Sequence, residues 1–166
     1  MCLERNTLIA LLEEQHKKTI LFLEPLLRNE MNGWEMTIQQ PHPLIFELGH
    51  ITLFYMHHFL RHFTTITIHD ELYELFDSLQ NTPGNRATSN ILPFHDQYKL
   101  YQDVFNKTLD FIENAEEVTN AMKYALHVCI LHNEMHNEVL LFLLDMLCHP
   151  SPLHLAPKYQ LYNNDQ

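Results

Sequence analysis

Only three glycines occur in this chain of 166 residues, and that scarcity most limits what the chain can fold into. Folds built entirely of strands need many tight turns, and glycine most readily adopts the backbone conformations of those turns. Apolar residues make up 46% of the chain and are spread along its length, so a packed core is expected rather than disorder. The sequence therefore predicts one all-α domain.

Four segments carry apolar residues at helical spacing. They run over about 6–28, 43–62, 93–114 and 117–147. Pro25 predicts a kink or an early end in the first segment, whereas Pro43 suits the first turn of the second because its missing N–H would be unpaired there. Four helices joined by connections of mixed length predict a four-helix bundle.

The segments between the predicted helices differ in character. Residues 29–42 contain an Asn-Gly pair and one proline and are expected to form a loop, while 64–68 alternate like a strand that is too short to build a sheet. Residues 77–93 form a long polar connection of a kind that is often functional. The predicted division is a bundle over residues 1–148 and a proline-containing C-terminal tail or linker over 149–166.

Charge and cysteine usage exclude several functional classes. Ten Lys and Arg residues against 21 Asp and Glu residues give a net charge of −11, which repels nucleic acid. No apolar run approaches the length of about 18 residues that spans a bilayer, and the N-terminus lacks the order of a signal peptide. Three cysteines without a C-x-x-C spacing are typical of reduced thiols. We therefore expect a cytoplasmic protein that binds neither nucleic acid nor membrane.

His132 and His136 are the strongest candidates for chemistry. They lie four residues apart in the last predicted helix, so both imidazoles share one face and can bind one metal ion. Asn133 follows the first histidine where zinc proteases have glutamate, and Glu134 would point away from the ion. Because the chain has 13 histidines, chance pairs are common, and hydrogen-bonded core histidines are the alternative.

His50 is the predicted third ligand, from the middle of the second helix. Three neutral imidazoles would leave a divalent ion with open positions, which is typical of catalytic sites. Gly49, just before it, costs about 1 kcal/mol relative to alanine inside a helix, and that cost favours close packing against another backbone. His57 lies seven residues further on, on about the same face, and could be a fourth ligand, hold a ligand in place or lie exposed.

Three further residues have a functional and an ordinary interpretation. Glu138 could accept a hydrogen bond from a ligand imidazole, or be an exposed carboxylate. Cys129 could reach the site, although a small buried thiol is the better interpretation. Arg86, in the long polar connection, could bind a substrate carboxylate through two hydrogen bonds, or be exposed to solvent.

Two motifs together resemble a known family. The segment Pro43-x-x-Phe46-Glu47-Leu48-Gly49-His50-x-x-x-Phe54 is similar to the P-x-x-W-x-L-G-H-x-x-x-F start of the second helix in DinB-like four-helix bundles. The segment His132-x-x-x-His136-x-Glu138 resembles their H-E-x-x-H-x-E helix. The similarity spans about residues 5–160. It is closest to the N-terminal domain of the ergothioneine and ovothiol sulfoxide synthases, which are non-haem iron enzymes.

The resemblance implies a function for these residues. His50, His132 and His136 would form an Fe(II) site, with Zn or Ni as other candidate ions. The enzymes of this family join a small thiol substrate to a histidine-derived imidazole carbon with O₂ and form a sulfoxide. Arg86 falls where the family has an arginine that contacts the carboxylate of the thiol substrate.

Three departures from the family pattern keep other functions open. Phe46 replaces tryptophan, Asn133 replaces glutamate, and the family's second domain does not follow within this sequence. The predicted function is therefore an oxidoreductase component of ergothioneine-biosynthesis type that works with a partner chain supplying that domain. The alternatives are a stand-alone metal-dependent thiol transferase and a non-catalytic interaction bundle. A homodimer is also expected from DinB-like relatives.

Overall fold

The fold is described from a computed structural model, which describes residues 4–28, 43–80 and 92–146. Of these residues, 83% are helical and none forms a strand, so the predicted all-α class is confirmed. In these three ranges, no helix has both the length and the apolar character needed to cross a membrane. Arg86 and the predicted tail over 149–166 lie outside the described residues.

Four long helical segments correspond to the four predicted ones. The short helix over Asp70–Phe76 was not predicted. The elements are α1 (Arg5–Leu27), α2 (Leu44–Tyr55), a π-helical turn (Met56–Leu60), α3 (Arg61–Phe63), α4 (Asp70–Phe76), α5 (Phe94–Asn114) and α6 (Asn120–Met146). The π-helical turn runs directly from α2 into α3, so these three elements form one continuous rod. Such turns insert one extra residue into a helix and are frequent at functional sites.

At two places the local structure differs from the pattern in the sequence. Pro25 does not end the first helix, which continues to Leu27; because the proline lies in the last turn, few helical hydrogen bonds are lost there. Residues 64–68 form no strand, and among the described residues there is no strand beside them to pair with. The hydroxyl of Thr64 instead donates to the carbonyl of Leu60 (2.6 Å), which marks the end of the continuous rod.

The long helices form a bundle around one core. Helix α1 packs against α5 and α6, and α2 packs against the same two helices, so α1 and α2 occupy opposite corners. The space between them is filled by apolar side chains that are at most 2% exposed, including Leu12, Leu23, Leu48, Phe59 and Leu140. Burial of this surface is the main force that holds the helices together.

A buried polar network joins α1 to α6. The Thr19 hydroxyl lies 2.9 Å from the Asn137 side-chain oxygen and accepts from the Asn133 amide at 3.1 Å. The Asn137 amide in turn donates to the Gln15 side chain at 3.1 Å. All four side chains are at most 5% exposed. Because buried polar groups without partners destabilise a fold, this network permits few relative placements of the two helices.

Gly49 is required by the packing of α4 on α2. A Cβ atom at this position would lie 2.2 Å from the ring of Phe76, which is 1% exposed. The close packing expected at Gly49 therefore exists, but its partner is an aromatic ring and not a second backbone. Phe76 ends α4 and belongs to a small cluster with Phe46 and Leu53, so the ring has little room to move.

We predict that Gly49→Ala lowers the free energy of unfolding by about 1–3 kcal/mol, because the Phe76 ring must shift within a packed cluster. Denaturant unfolding measures the change. In a Phe76→Ala background the same substitution should instead stabilise by up to about 1 kcal/mol, because alanine favours helix and the obstacle is gone. Destabilisation of equal size in both backgrounds would contradict the proposed contact.

Candidate metal centre

The structure brings His50, His132 and His136 together, as the sequence predicted. One ligand atom from each lies within 4.8 Å of the others, close enough to hold a metal ion. The ring centroids are 5.1 Å apart for His50 and His132, 4.7 Å for His50 and His136, and 4.4 Å for His132 and His136. Helix α2 supplies the first histidine and α6 the other two, so the site lies where these helices pack.

Hydrogen bonds orient two of the three imidazoles. Nδ1 of His50 lies 2.7 Å from the carbonyl oxygen of Phe76, and Nδ1 of His136 lies 2.5 Å from Oε2 of Glu47. A carbonyl and a carboxylate only accept, so each Nδ1 carries the hydrogen. In the neutral ring the lone pair then lies on Nε2. This is the arrangement in which metal-binding histidines commonly occur.

The third imidazole, His132, lies as far from His136 as two nitrogen ligands of one metal ion lie from each other. Their Nε2 atoms are 3.2 Å apart. Two nitrogens that each lie 2.0–2.1 Å from a tetrahedral ion would be about 3.3 Å apart, so this spacing fits a shared ion as well as a hydrogen bond between the rings. Phe54 stacks on the His132 ring with a centroid distance of 3.5 Å and holds its plane. The donor set and its spacing therefore fit a divalent metal.

Burial keeps His132 neutral. Burial first, and the neighbouring His136 and His50 rings after it, together lower the pKa of this imidazole to about 3. A neutral imidazole binds a metal without first losing a proton. The Nδ1 atom of His132 is buried and has no hydrogen-bond partner among the described residues, so Phe54 and not a polar group fixes this ring.

Glu47 is a candidate site residue that the sequence reasoning missed. Its carboxylate is only 3% exposed and contacts His136 across the interface between α2 and α6. Glu138, the predicted acceptor, is exposed, and Glu134 points away from the site toward Lys18 at 3.0 Å. The sequence could have indicated Glu47 through its position, because it precedes His50 by three residues and therefore lies on the same face of the helix.

A cavity of about 250 Å³ adjoins the site at His50. Apolar side chains such as Leu53 and Phe54 form part of its wall, and the π-helical turn adds His57 and His58. Burial lowers the pKa of both, so these rings favour the neutral form. His57 is not a member of the three-histidine group; its Nδ1 lies 2.7 Å from the hydroxyl of Tyr73, which also lines the cavity.

The other candidates have different outcomes. Cys129 is a buried thiol, and burial raises its pKa to about 12, which leaves it unreactive as a nucleophile. Arg86 lies outside the described residues, so its substrate-binding role stays a prediction.

No model of a protein family matches the chain, and no curated protein matches it. The geometry of the site therefore carries the functional argument.

We predict that Glu47→Leu weakens metal binding by about 10–100-fold, because His136 loses the carboxylate that orients it. Competition with a chromophoric chelator measures the affinity. Glu134→Leu is the matched control on the neighbouring helix and should leave the affinity unchanged. Equal affinities of the two variants would remove Glu47 from the site.

Proposed function

We propose that this chain binds one divalent metal ion through Nε2 of His50, His132 and His136 and uses it to activate a small ligand. The observation that supports the proposal is the convergence of three imidazoles from two helices within 4.8 Å. Two of these rings are already held in the tautomer that binds metal. Isolated core histidines would not require such an arrangement.

We further propose that the ion is Fe(II) and that the chain is a DinB-like bundle of sulfoxide-synthase type. Three protein ligands leave coordination positions for other molecules, and a bound iron would supply O₂-dependent C–S bond formation at those positions. The chain's own part is to hold neutral nitrogens in place, to keep Glu47 against His136 and to shield the ion with apolar side chains such as Phe54.

The cavity beside His50 supports a small molecule as the second ligand. Its volume of about 250 Å³ is suited to a molecule of amino-acid size, and the proposed substrate is a small thiol. Neutral imidazoles and the Tyr73 hydroxyl offer hydrogen bonds to that molecule, and Arg86 would bind its carboxylate. A second domain of the kind found in the sulfoxide synthases would complete the pocket.

Elemental analysis of protein purified without a histidine tag tests the metal site. We expect about one equivalent of iron in the wild type after anaerobic loading with Fe(II), and less than a tenth of that in His50→Ala. His62→Ala is the control, because this exposed histidine lies on the same continuous helical rod. Equal metal content in both variants would overturn the site. Zinc or nickel in the wild type as isolated would favour the thiol transferase.

Cobalt substitution tests the open coordination positions. With Co(II) bound in place of iron, added cysteine should produce a new near-ultraviolet absorption from thiolate bound to the metal. Serine, which lacks the thiol, is the matched control and should produce none. A cobalt-loaded protein whose spectrum cysteine leaves unchanged would have a closed, structural metal site, and the catalytic proposal would fail.

A further inference from the structure

Two histidines outside the metal centre, His57 and His58, line the cavity that adjoins His50. Their ring centroids are 4.6 Å apart; His57 is half-buried and His58 is exposed. Because His50 and an exposed imidazole line the same cavity, the cavity connects the metal centre with the surface. An ion that passes through it meets His57 and His58 on the way to His50.

His58 lies close to the metal centre. The ring of Phe54 stacks on His132 with a centroid distance of 3.5 Å and contacts the ring of His58 at 4.1 Å. The centroids of His58 and His132 can therefore be no further apart than the sum of these distances, 7.6 Å. An ion held at His58 is thus separated from a ligand of the centre by one aromatic ring.

Nε2 of His57 can serve as a metal ligand. Nδ1 of the same ring lies 2.7 Å from the hydroxyl of Tyr73, to which Arg61 donates at 3.2 Å. A hydroxyl has two lone pairs, so it can accept from Arg61 and from Nδ1 of His57 together. In that tautomer Nε2 of His57 keeps a lone pair for a cation.

One carboxylate gives the cavity a charge that attracts cations. Asp77 is the one acidic side chain among the described residues that line the cavity, and no Lys or Arg is among them. Its Oδ1 accepts from the backbone N–H of Leu79 at 2.8 Å, which holds the carboxylate in place. Clefts lined by one sign of charge concentrate ions of the opposite sign and accelerate their association. Such a wall favours the approach of a hydrated divalent cation.

We propose that His57, His58 and Asp77 form an entry site, which takes a hydrated divalent ion from solvent and passes it to the three histidines of the metal centre. The entry site rests on the proposed metal centre, but it governs the rate at which the ion arrives and not the affinity with which the centre holds it.

The entry site binds the ion less tightly than the centre does. Among the described residues, the three histidines of the centre are the only group of three side chains whose ligand atoms lie within 4.8 Å of one another. The side chains of the entry site therefore contact the ion two at a time or through its water molecules. Weak binding is what a passage requires, because tight binding at the entry would trap the ion.

The rates of cobalt uptake and release test the entry site. Stopped-flow absorption measures Co(II) entering the centre, and an excess of chelator measures its release. In His57→Ala combined with His58→Ala, both rates should fall by the same factor, about tenfold, with the dissociation constant and the cobalt spectrum unchanged. Groups that act only on the route must slow both directions equally. The control, His69→Ala combined with His95→Ala, removes two exposed imidazoles outside the cavity wall and should keep both rates.

The possible failures are distinguishable. Wild-type rates in the variant that lacks His57 and His58 would overturn the entry site and leave the metal centre standing. A lower affinity or an altered cobalt spectrum would also overturn it, because one of these histidines would then be a ligand of the bound ion. A wild-type chain that takes up no cobalt would overturn the centre itself, and the entry site with it.

Ionic strength tests the carboxylate. Asp77→Asn keeps the shape of the side chain and an oxygen for Leu79 but removes the charge. Cobalt uptake at low salt should slow about threefold, and the difference from the wild type should disappear at about 1 M salt, which screens charges beyond about 3 Å. Asp70→Asn, at the other end of α4, is the matched control and should keep the wild-type rate. Equal rates for Asp77→Asn and the wild type at low salt would overturn an entry site that depends on this carboxylate.

Discussion

The contact between Phe76 and Gly49 is the constraint on which the site depends. It fixes the short helix α4 against α2 at the one position where a missing side chain leaves room for an aromatic ring. The same Phe76 places its carbonyl oxygen 2.7 Å from Nδ1 of His50. The packing of one ring thus helps to decide which nitrogen of His50 faces the other two histidines, and a core contact orients a candidate metal ligand.

Glu47 contributes in the same way at a second candidate ligand, His136. A carboxylate with 3% exposure has lost nearly all of its water, and its bond to His136 offsets part of that loss. The bond also joins α2 to α6. A negative charge next to a ligand imidazole favours a bound cation, so the same desolvated group both stabilises the interface and would increase affinity for a metal ion.

The four long helices and the His132–His136 pair could be predicted because each rests on periodicity. His50 was added from its position in the second amphipathic helix and from the family resemblance. Helix α4 could not be predicted, because seven residues are too few to show an amphipathic pattern and a helix of that length is stable only through tertiary contacts. Glu47 was missed for a related reason. In the sequence it is an ordinary carboxylate in the first turn of a helix, and only the approach of α6 buries it against His136.

Helix α6 shows why such assignments need the tertiary structure. Asn133 and Asn137 face α1, His132 and His136 face α2, and Leu131 and Met135 face solvent. Each pair has the same spacing of four residues and differs from the next by a rotation of about 100°. The asparagines satisfy their hydrogen bonds with α1 at only one rotation of the helix. That polar network therefore fixes the direction in which His132 and His136 point and the direction in which Leu131 and Met135 point. The asparagines do this without being candidate metal ligands themselves.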